Sequence, residues 1–174
     1  FTTTNFATDS KPNIMIVLLE SWAAKYTGSF GYPGFGATPN FDKIAEKGIR
    51  FTNFYASGSR SVEALQAILT SFPSLKGIPT LGRGFELMQT AQLGALARAQ
   101  GYQTSFMQSA PRESFHLESV AKAYGFEQYF GMEDFKTRRH HQGPRPAFGW
   151  DYEMLMHAGE YFSSLDKPFL SFLF

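Results

Sequence analysis

Lys11 to Ser21 reads KPNIMIVLLES, and the run from Ile14 to Leu19 within it carries no polar residue. A strand wet on one face alternates apolar and polar side chains. An unbroken run therefore predicts a strand buried on both faces, as in the middle of a parallel sheet. Glu20 closes the run, at the edge where open α/β sheets gather their ligands. That position makes Glu20 the first candidate for chemistry; the plainer alternative is a carboxylate that merely begins a solvated loop.

The rest of the chain alternates strand and helix patterns. A loop rich in Gly, Tyr and Pro (Tyr26 to Gly36) leads to Thr38-Pro39-Asn40, which predicts a capped helix to about Lys47 with Gly48 as its stop. Ile49 to Ala56 alternates as a strand does, and Ser61 to Thr70 places Val62, Leu65, Ile68 and Leu69 on one helical face. Pro73 to Gly84 reads as loop. Further helices are predicted over Gln89 to Gln100, Phe115 to Tyr124 and Asp151 to Leu165. Further strands are predicted over Tyr102 to Gln108, Glu127 to Phe130 and the closing run Lys167 to Phe174. Such alternation predicts an α/β fold, a three-layer α/β/α sandwich around a mostly parallel sheet.

Composition narrows the function classes. The 16 basic and 15 acidic residues leave a net charge of +1, so no global field argues for nucleic acid or an anionic membrane, and anion recognition has to be local. No apolar run reaches the length of a membrane span. The absence of cysteine excludes disulfides, thiolate metal sites and a cysteine nucleophile. Residues 1–10 are polar and read as a flexible lead-in, whereas KPFLSFLF at the other end reads as a buried strand followed by nothing. The chain is thus expected to be the N-terminal part of one larger catalytic domain, truncated at its C-terminal side, with the remainder beyond Phe174.

Ser61 is the second candidate. A strand predicted to end near Ala56 and a turn at Ser57-Gly58-Ser59-Arg60 put its hydroxyl at a helix N-terminus, where backbone N–H groups and the helix dipole favour anions. The structural alternative is an ordinary N-cap, with Glu63 as its partner. In a parallel sheet Glu20 and Ser61 both fall at the C-terminal edge. A carboxylate and a hydroxyl brought together there are hard oxygen ligands suited to a divalent cation, and a metal would activate the hydroxyl as a nucleophile toward phosphorus or sulfur.

Three blocks, KPNIMIVLLES, TPNFDKIAEKGIRFTNFYA and GSRSVEALQAILTSFP, together resemble the start of the alkaline-phosphatase and sulfatase superfamily, and more narrowly its lipoteichoic-acid-synthase and phosphoglycerol-transferase branch. A weaker likeness runs on through AKAYGFEQYFG to KPFLSFLF. The resemblance implies that Glu20 is a metal ligand and that Ser61, preceded by Arg60, is both nucleophile and metal ligand. Ser61 stands where that branch more usually has Thr. Sulfatases proper carry a Cys/Ser-x-Pro-x-Arg motif and paired Asp after the first strand, which Ser61-Val62-Glu63 and Glu20-Ser21 do not match. The remaining metal ligands, an Asp-His pair, and a substrate-binding His are implied beyond Phe174.

The implied activity is a phosphotransferase dependent on Mn, Mg or Zn. It would move a phosphoglycerol-type head group from a phospholipid-type donor to a glycan or glycerol acceptor by way of a covalent serine intermediate. The alternatives are a sulfatase-like or phosphodiesterase hydrolase with the same metal site, and a degenerate domain kept for binding. The resemblance also implies membrane attachment through a region absent from this chain, with the catalytic domain extracytoplasmic.

Weaker candidates complete the set. Arg60 offers a planar fork to a transferred phosphate. Arg112, Glu113 and His116 follow the Tyr102 strand, where the family places substrate-pocket residues, and His116 is taken as a substrate-binding candidate. The aromatic-plus-Arg pattern of the lipoteichoic acid synthases is not reproduced there. Arg138, Arg139, His140 and His141 read as a solvated or substrate-rim loop, since adjacent histidines in a basic loop serve one ion poorly.

Overall fold

The computed structural model describes residues 11–31, 34, 36–74, 83–137 and 151–174. The elements in chain order are β1 (Ile14–Val17), α1 (Pro39–Ala45), α2 (Ser61–Thr70), α3 (Leu93–Ala99), β2 (Gln103–Met107), α4 (Leu117–Ala123), β3 (Gln128–Phe130), α5 (Asp151–Ser163) and β4 (Phe169–Leu173). The strands form one sheet in the order β1-β4-β2-β3, and every pairing is parallel. Parallel neighbours need crossovers, and the helices supply them.

Strand alternation sends the core to both faces of the sheet. Phe106 of β2 with Leu170 and Phe172 of β4 packs against Leu65 and Leu69 of α2, Ala97 of α3, Leu117, Val120 and Ala121 of α4, and Tyr124 just after it. One residue further on, Met107 and Leu173 face the other way, onto Met154 and Ala158 of α5. The result is the expected α/β/α sandwich. Phenylalanine fills much of it: Phe106 stacks on Phe172 with centroids 5.1 Å apart and on Tyr129 at 5.7 Å, and meets Phe126 edge-on at 5.7 Å. Between β2 and β4, Ser105 Oγ donates to Ser171 Oγ at 2.8 Å, pairing two buried hydroxyls directly across the register.

Several local expectations are corrected. The strand buried on both faces is β4, all five of whose residues are buried, and not β1. β1 stands at the sheet edge and ends at Val17. Its Ile14 and Ile16 pack on the core, while Met15 is 55% and Val17 40% exposed, because no described residue covers that face. The strand expected over Ile49 to Ala56 does not form: these residues are irregular with a turn at Thr52-Asn53, and Ile49, Phe51, Phe54 and Tyr55 are exposed. A lone extended segment cannot satisfy its backbone without a neighbouring strand, and none lies beside it among the described residues.

Helix starts move as well. α3 begins at Leu93 instead of Gln89, since the Ala95 N–H donates to the Tyr124 carbonyl at 3.1 Å and docks this end on the last turn of α4. α4 begins at Leu117 because Phe115 and His116 both adopt left-handed backbone, φ 54°. α1 ends at Ala45, short of Lys47. Gly101 and Gly125, at φ 80° and 86°, stop α3 and α4 as their positions in the sequence predict. Among the described residues no helix is long and apolar enough to cross a membrane.

Candidate active site

Glu20 leaves the sheet just past the end of β1, where the Leu18 N–H still bonds the Leu173 carbonyl at 2.9 Å. Ser21 in left-handed backbone, φ 56°, turns the chain immediately afterwards. Trp22 is then fixed by its indole N–H, which donates to the buried Thr27 hydroxyl at 2.8 Å, and by Phe41, whose ring lies 5.6 Å away.

α2 brings Ser61 to the same edge from the other side. Its N-cap is Arg60, in extended backbone (φ −121°, ψ 148°), so Ser61 is the first helical residue and its hydroxyl is not spent on capping. Capping falls instead to Glu63. This carboxylate is 4% exposed, and its Oε2 accepts the N–H groups of Ser59 at 2.7 Å and Arg60 at 3.0 Å. Gly58 makes room for it, since a Cβ there would overlap the Glu63 side chain. The Glu63 clasp leaves the Ser61 hydroxyl free to donate to Glu20 Oε1 at 2.7 Å. The two sequence-predicted residues thus meet, joined across the mouth of the sheet.

Both line a cavity of about 590 Å³ between the ends of β1, β2 and β4 and the N-termini of α2 and α5. Arg60, Trp22, Gln108, Phe115 and Asp151 also line it, with Val17, Leu65, Met154 and Leu173 forming apolar wall. Among the described residues, Glu20, Asp151 and Arg60 are the charged side chains of this wall, beside the polar Ser61, Gln108 and Ser109 and an apolar and aromatic remainder. Glu20 Oε1 and Ser61 Oγ are two hard oxygens within one cation's reach, and this donor set fits a divalent metal. Among the described residues no group of three or more His, Asp or Glu side chains gathers there, so further ligands would have to come from elsewhere.

The remaining predicted residues are placed differently. His116 does not line the cavity, although its neighbours Phe115 and Leu117 do. Arg112 also stays out of the wall; its guanidinium is turned to Glu118 and Asp134. Arg138, Arg139, His140 and His141 lie outside the described residues. Of the aromatic residues in the loops of this sequence, Trp22 and Phe115 line the cavity and Tyr26 and Phe30 do not, while Tyr32, Phe35 and Phe148 to Trp150 lie outside the described residues. Gln108 and Asp151 were missed by sequence reasoning. Gln108 follows the last residue of β2 as Glu20 follows the β1 run, and that shared position was the available signal.

The sulfatase family model matches residues 12–174, and the chain belongs to that family. It is 30% identical over 150 residues to arylsulfatase A of Bos taurus, covering 79% of this chain and 28% of that protein. Its fold superposes with TM-score 0.79 and 28% identity on a protein in the alkaline phosphatase superfamily from Vibrio parahaemolyticus, covering 94% of this chain and 40% of that one.

Two further structures share the fold at 17% identity. The lipoteichoic acid synthase LtaP of Listeria monocytogenes matches with TM-score 0.73, over 94% of this chain and 40% of that one. The C-terminal periplasmic domain of EptC from Escherichia coli, in complex with Zn, matches with TM-score 0.67, over 95% of this chain and 43% of that one. The chain thus spans less than half the length of each of these proteins. The superfamily is enzymatic, comprises hydrolases and phosphotransferases, and uses divalent metals.

Proposed function

We propose that the protein containing this chain is a metal-dependent phosphotransferase of the cell envelope. It moves a phosphoglycerol-type head group from a phospholipid donor to a glycan or glycerol acceptor through a covalent Ser61 intermediate. The 2.7 Å contact between Ser61 Oγ and Glu20 Oε1, at the N-terminus of α2 and inside the cavity, carries this reading. Glu20 and Ser61 would hold the divalent cation, Mn, Mg or Zn, with ligands from outside the described residues. When bound, the cation lowers the cost of charge on the phosphoryl oxygens and on the nucleophile.

The residues of this chain then divide the work. The Ser61 hydroxyl hydrogen lies on Glu20, so the oxygen presents its lone pairs to the cavity. Arg60 and the positive end of α2 receive the phosphoryl anion. The Oγ–P bond forms as the P–O bond to the lipid alcohol breaks, and the proton lost by Ser61 ends on the departing alcohol. An acceptor hydroxyl next attacks phosphorus, the Oγ–P bond breaks, and the acceptor's proton returns to Ser61. Trp22 and Phe115 give the cavity flat apolar surface, which suits a glycerol or sugar acceptor and limits the access of water to the intermediate.

The second reading, hydrolysis with water as final acceptor, draws on the 30% identity to arylsulfatase A. Sulfate-ester chemistry is disfavoured by Glu63 and Leu65, which stand where the Cys/Ser-x-Pro-x-Arg motif has Pro and Arg. Product partitioning separates the readings. The intact protein is given a head-group-labelled phospholipid with and without glycerol or glycan acceptor, and the label is traced by mass. Labelled acceptor should dominate at millimolar acceptor, with a phosphoglycerol adduct on the Ser61 peptide. Ser61→Ala should lower turnover by roughly 10³-fold or more, and Ser61→Thr should keep part of it. Release to water regardless of acceptor favours hydrolysis, and near-normal turnover in Ser61→Ala excludes the covalent route.

A further inference from the structure

Arg112 stays out of the cavity wall, yet the segment around it supplies five wall residues, Gln108, Ser109, Ala110, Phe115 and Leu117. It is also the most heavily tied residue of that segment. Its guanidinium bonds Glu118 Oε1 at 3.0 Å through one nitrogen and Asp134 Oδ2 at 2.8 Å through the other. Its backbone N–H donates to Glu133 Oε2 at 2.8 Å, and its carbonyl accepts the Tyr129 hydroxyl at 3.3 Å. The guanidinium also lies 5.5 Å from the centre of the Tyr129 ring. Burial pushes the Tyr129 hydroxyl well above the ordinary phenol range, so it remains a donor.

The partners of Arg112 are themselves anchored. Asp134 Oδ2 accepts the Gly131 N–H at 2.8 Å, and the Met132 N–H bonds the Ala110 carbonyl at 2.9 Å. Gly131 permits the approach, since a Cβ there would come within 2.7 to 2.9 Å of the Arg112 N, Cα and Cβ. Glu118 belongs to the first turn of α4. Arg112 therefore pins the segment after β2 at both ends, to the turn after β3 and to the start of α4.

Between Arg112 and α4 lie Phe115 and His116, consecutive non-glycine residues in left-handed backbone. Such a pair is strained and persists only where the flanks hold it. Phe115 is 73% exposed, so its own packing does not hold it over the cavity. The clamp on one side and α4 on the other do.

We infer that Arg112 is a positioning residue: its ion-pair and backbone clamp onto Glu118, Glu133, Asp134 and Tyr129 holds the 109–116 segment in its strained course and so sets Phe115 as a wall of the cavity. This rests on the reading of the cavity as the substrate site. Loss of the clamp lets the wall relax, weakening substrate binding while leaving the Ser61–Glu20 pair in place.

The test pairs amide hydrogen exchange with steady-state kinetics on a chromogenic phosphodiester, in the intact protein and its Arg112→Ala and Arg112→Lys variants. In Arg112→Ala the amides of 113–116 should exchange about tenfold faster or more, those of β2 should be unchanged, KM should rise about tenfold, and kcat should stay within about twofold. Arg112→Lys, which keeps the charge and loses the fork, should fall between. If Arg112→Ala does not fold, Glu118→Gln carries the same comparison with a smaller shift. Unchanged exchange at 113–116, a loosened loop with KM unmoved, or a fall in kcat alone would each overturn the proposal. Turnover that survives in Ser61→Ala would overturn the reading of the cavity and this proposal with it, whereas an unmoved loop overturns this proposal alone.

Discussion

Gly58 and Glu63 are packed so tightly that no side chain can stand at position 58 without displacing the carboxylate. That carboxylate in turn gathers the N–H groups of Ser59 and Arg60, and its placement fixes where α2 begins. The nucleophile candidate is the first residue of this helix. The glycine therefore acts on the site through Glu63, at one remove from the chemistry.

Gly58→Ala should accordingly cost both stability and activity. Displacing a buried carboxylate from two backbone donors is expected to destabilise the fold by roughly 2–4 kcal/mol. Turnover should fall by more than the unfolded fraction explains, because Ser61 moves off Glu20. Chemical denaturation together with specific activity at a temperature where the variant is folded checks this. Wild-type activity in a folded Gly58→Ala protein would show that the clasp is not needed to place Ser61.

Glu118 gives a pH signature. The hydrogen bond from Lys122 holds its carboxyl below the ordinary value of 4.5; burial opposes this, and the charge of Arg112 adds to it. A carboxylate with a depressed folded-state pKa contributes stability above its unfolded pKa, and the contribution is lost as pH falls through the folded value. Glu118→Gln should therefore lower stability at pH 7 by no more than about 1 kcal/mol, since the pairs are partly exposed. The difference should close as pH drops below 4.5. Thermal melting of both proteins from about pH 7 to about pH 3 measures it, and a gap that stays constant across that range would contradict the assignment.

Glu20 and Ser61 were legible in the sequence because topology places them: each follows an expected strand, and a parallel sheet brings such positions to one edge. The structure brings them to one edge, but Ser61 arrives there at the start of α2 without the strand expected before it. The capping alternative for Ser61 failed because Arg60 occupies the cap position and Glu63 supplies the acceptor, a division of labour that residue types alone did not reveal.

The misreadings have a common source. The apolar run from Ile14 to Leu19 signals two faces to be covered, but not what covers them, and α5 packs on β2 and β4 while leaving Met15 and Val17 open. The alternation of Ile49 to Ala56 is a strand pattern without a neighbouring strand among the described residues. Gln108 carries no charge to mark it in the sequence, although it follows β2 directly and lines the cavity. Arg112 lies in the segment that the resemblance associates with the substrate pocket, and its fork is taken up by Glu118 and Asp134. Pairings between segments distant in sequence decide all of these cases, and no local pattern encodes them.

Metal binding is the remaining test of the site. Glu20 Oε1 and Ser61 Oγ together offer a cation one carboxylate and one hydroxyl, of which only the carboxylate brings a formal charge. Hard divalent ions depend on anionic oxygen, so the two residues should contribute unequally. In the intact protein Glu20→Ala should weaken Mn²⁺ or Zn²⁺ binding by about tenfold or more, which is about 1.4 kcal/mol at least, while Ser61→Ala should weaken it less. This chain by itself should bind weakly, because two protein oxygens seldom hold such an ion. Titration calorimetry with the metal alone reads all three. Unchanged affinity in Glu20→Ala would remove Glu20 from the coordination sphere and leave its 2.7 Å contact as a means of orienting the Ser61 hydroxyl.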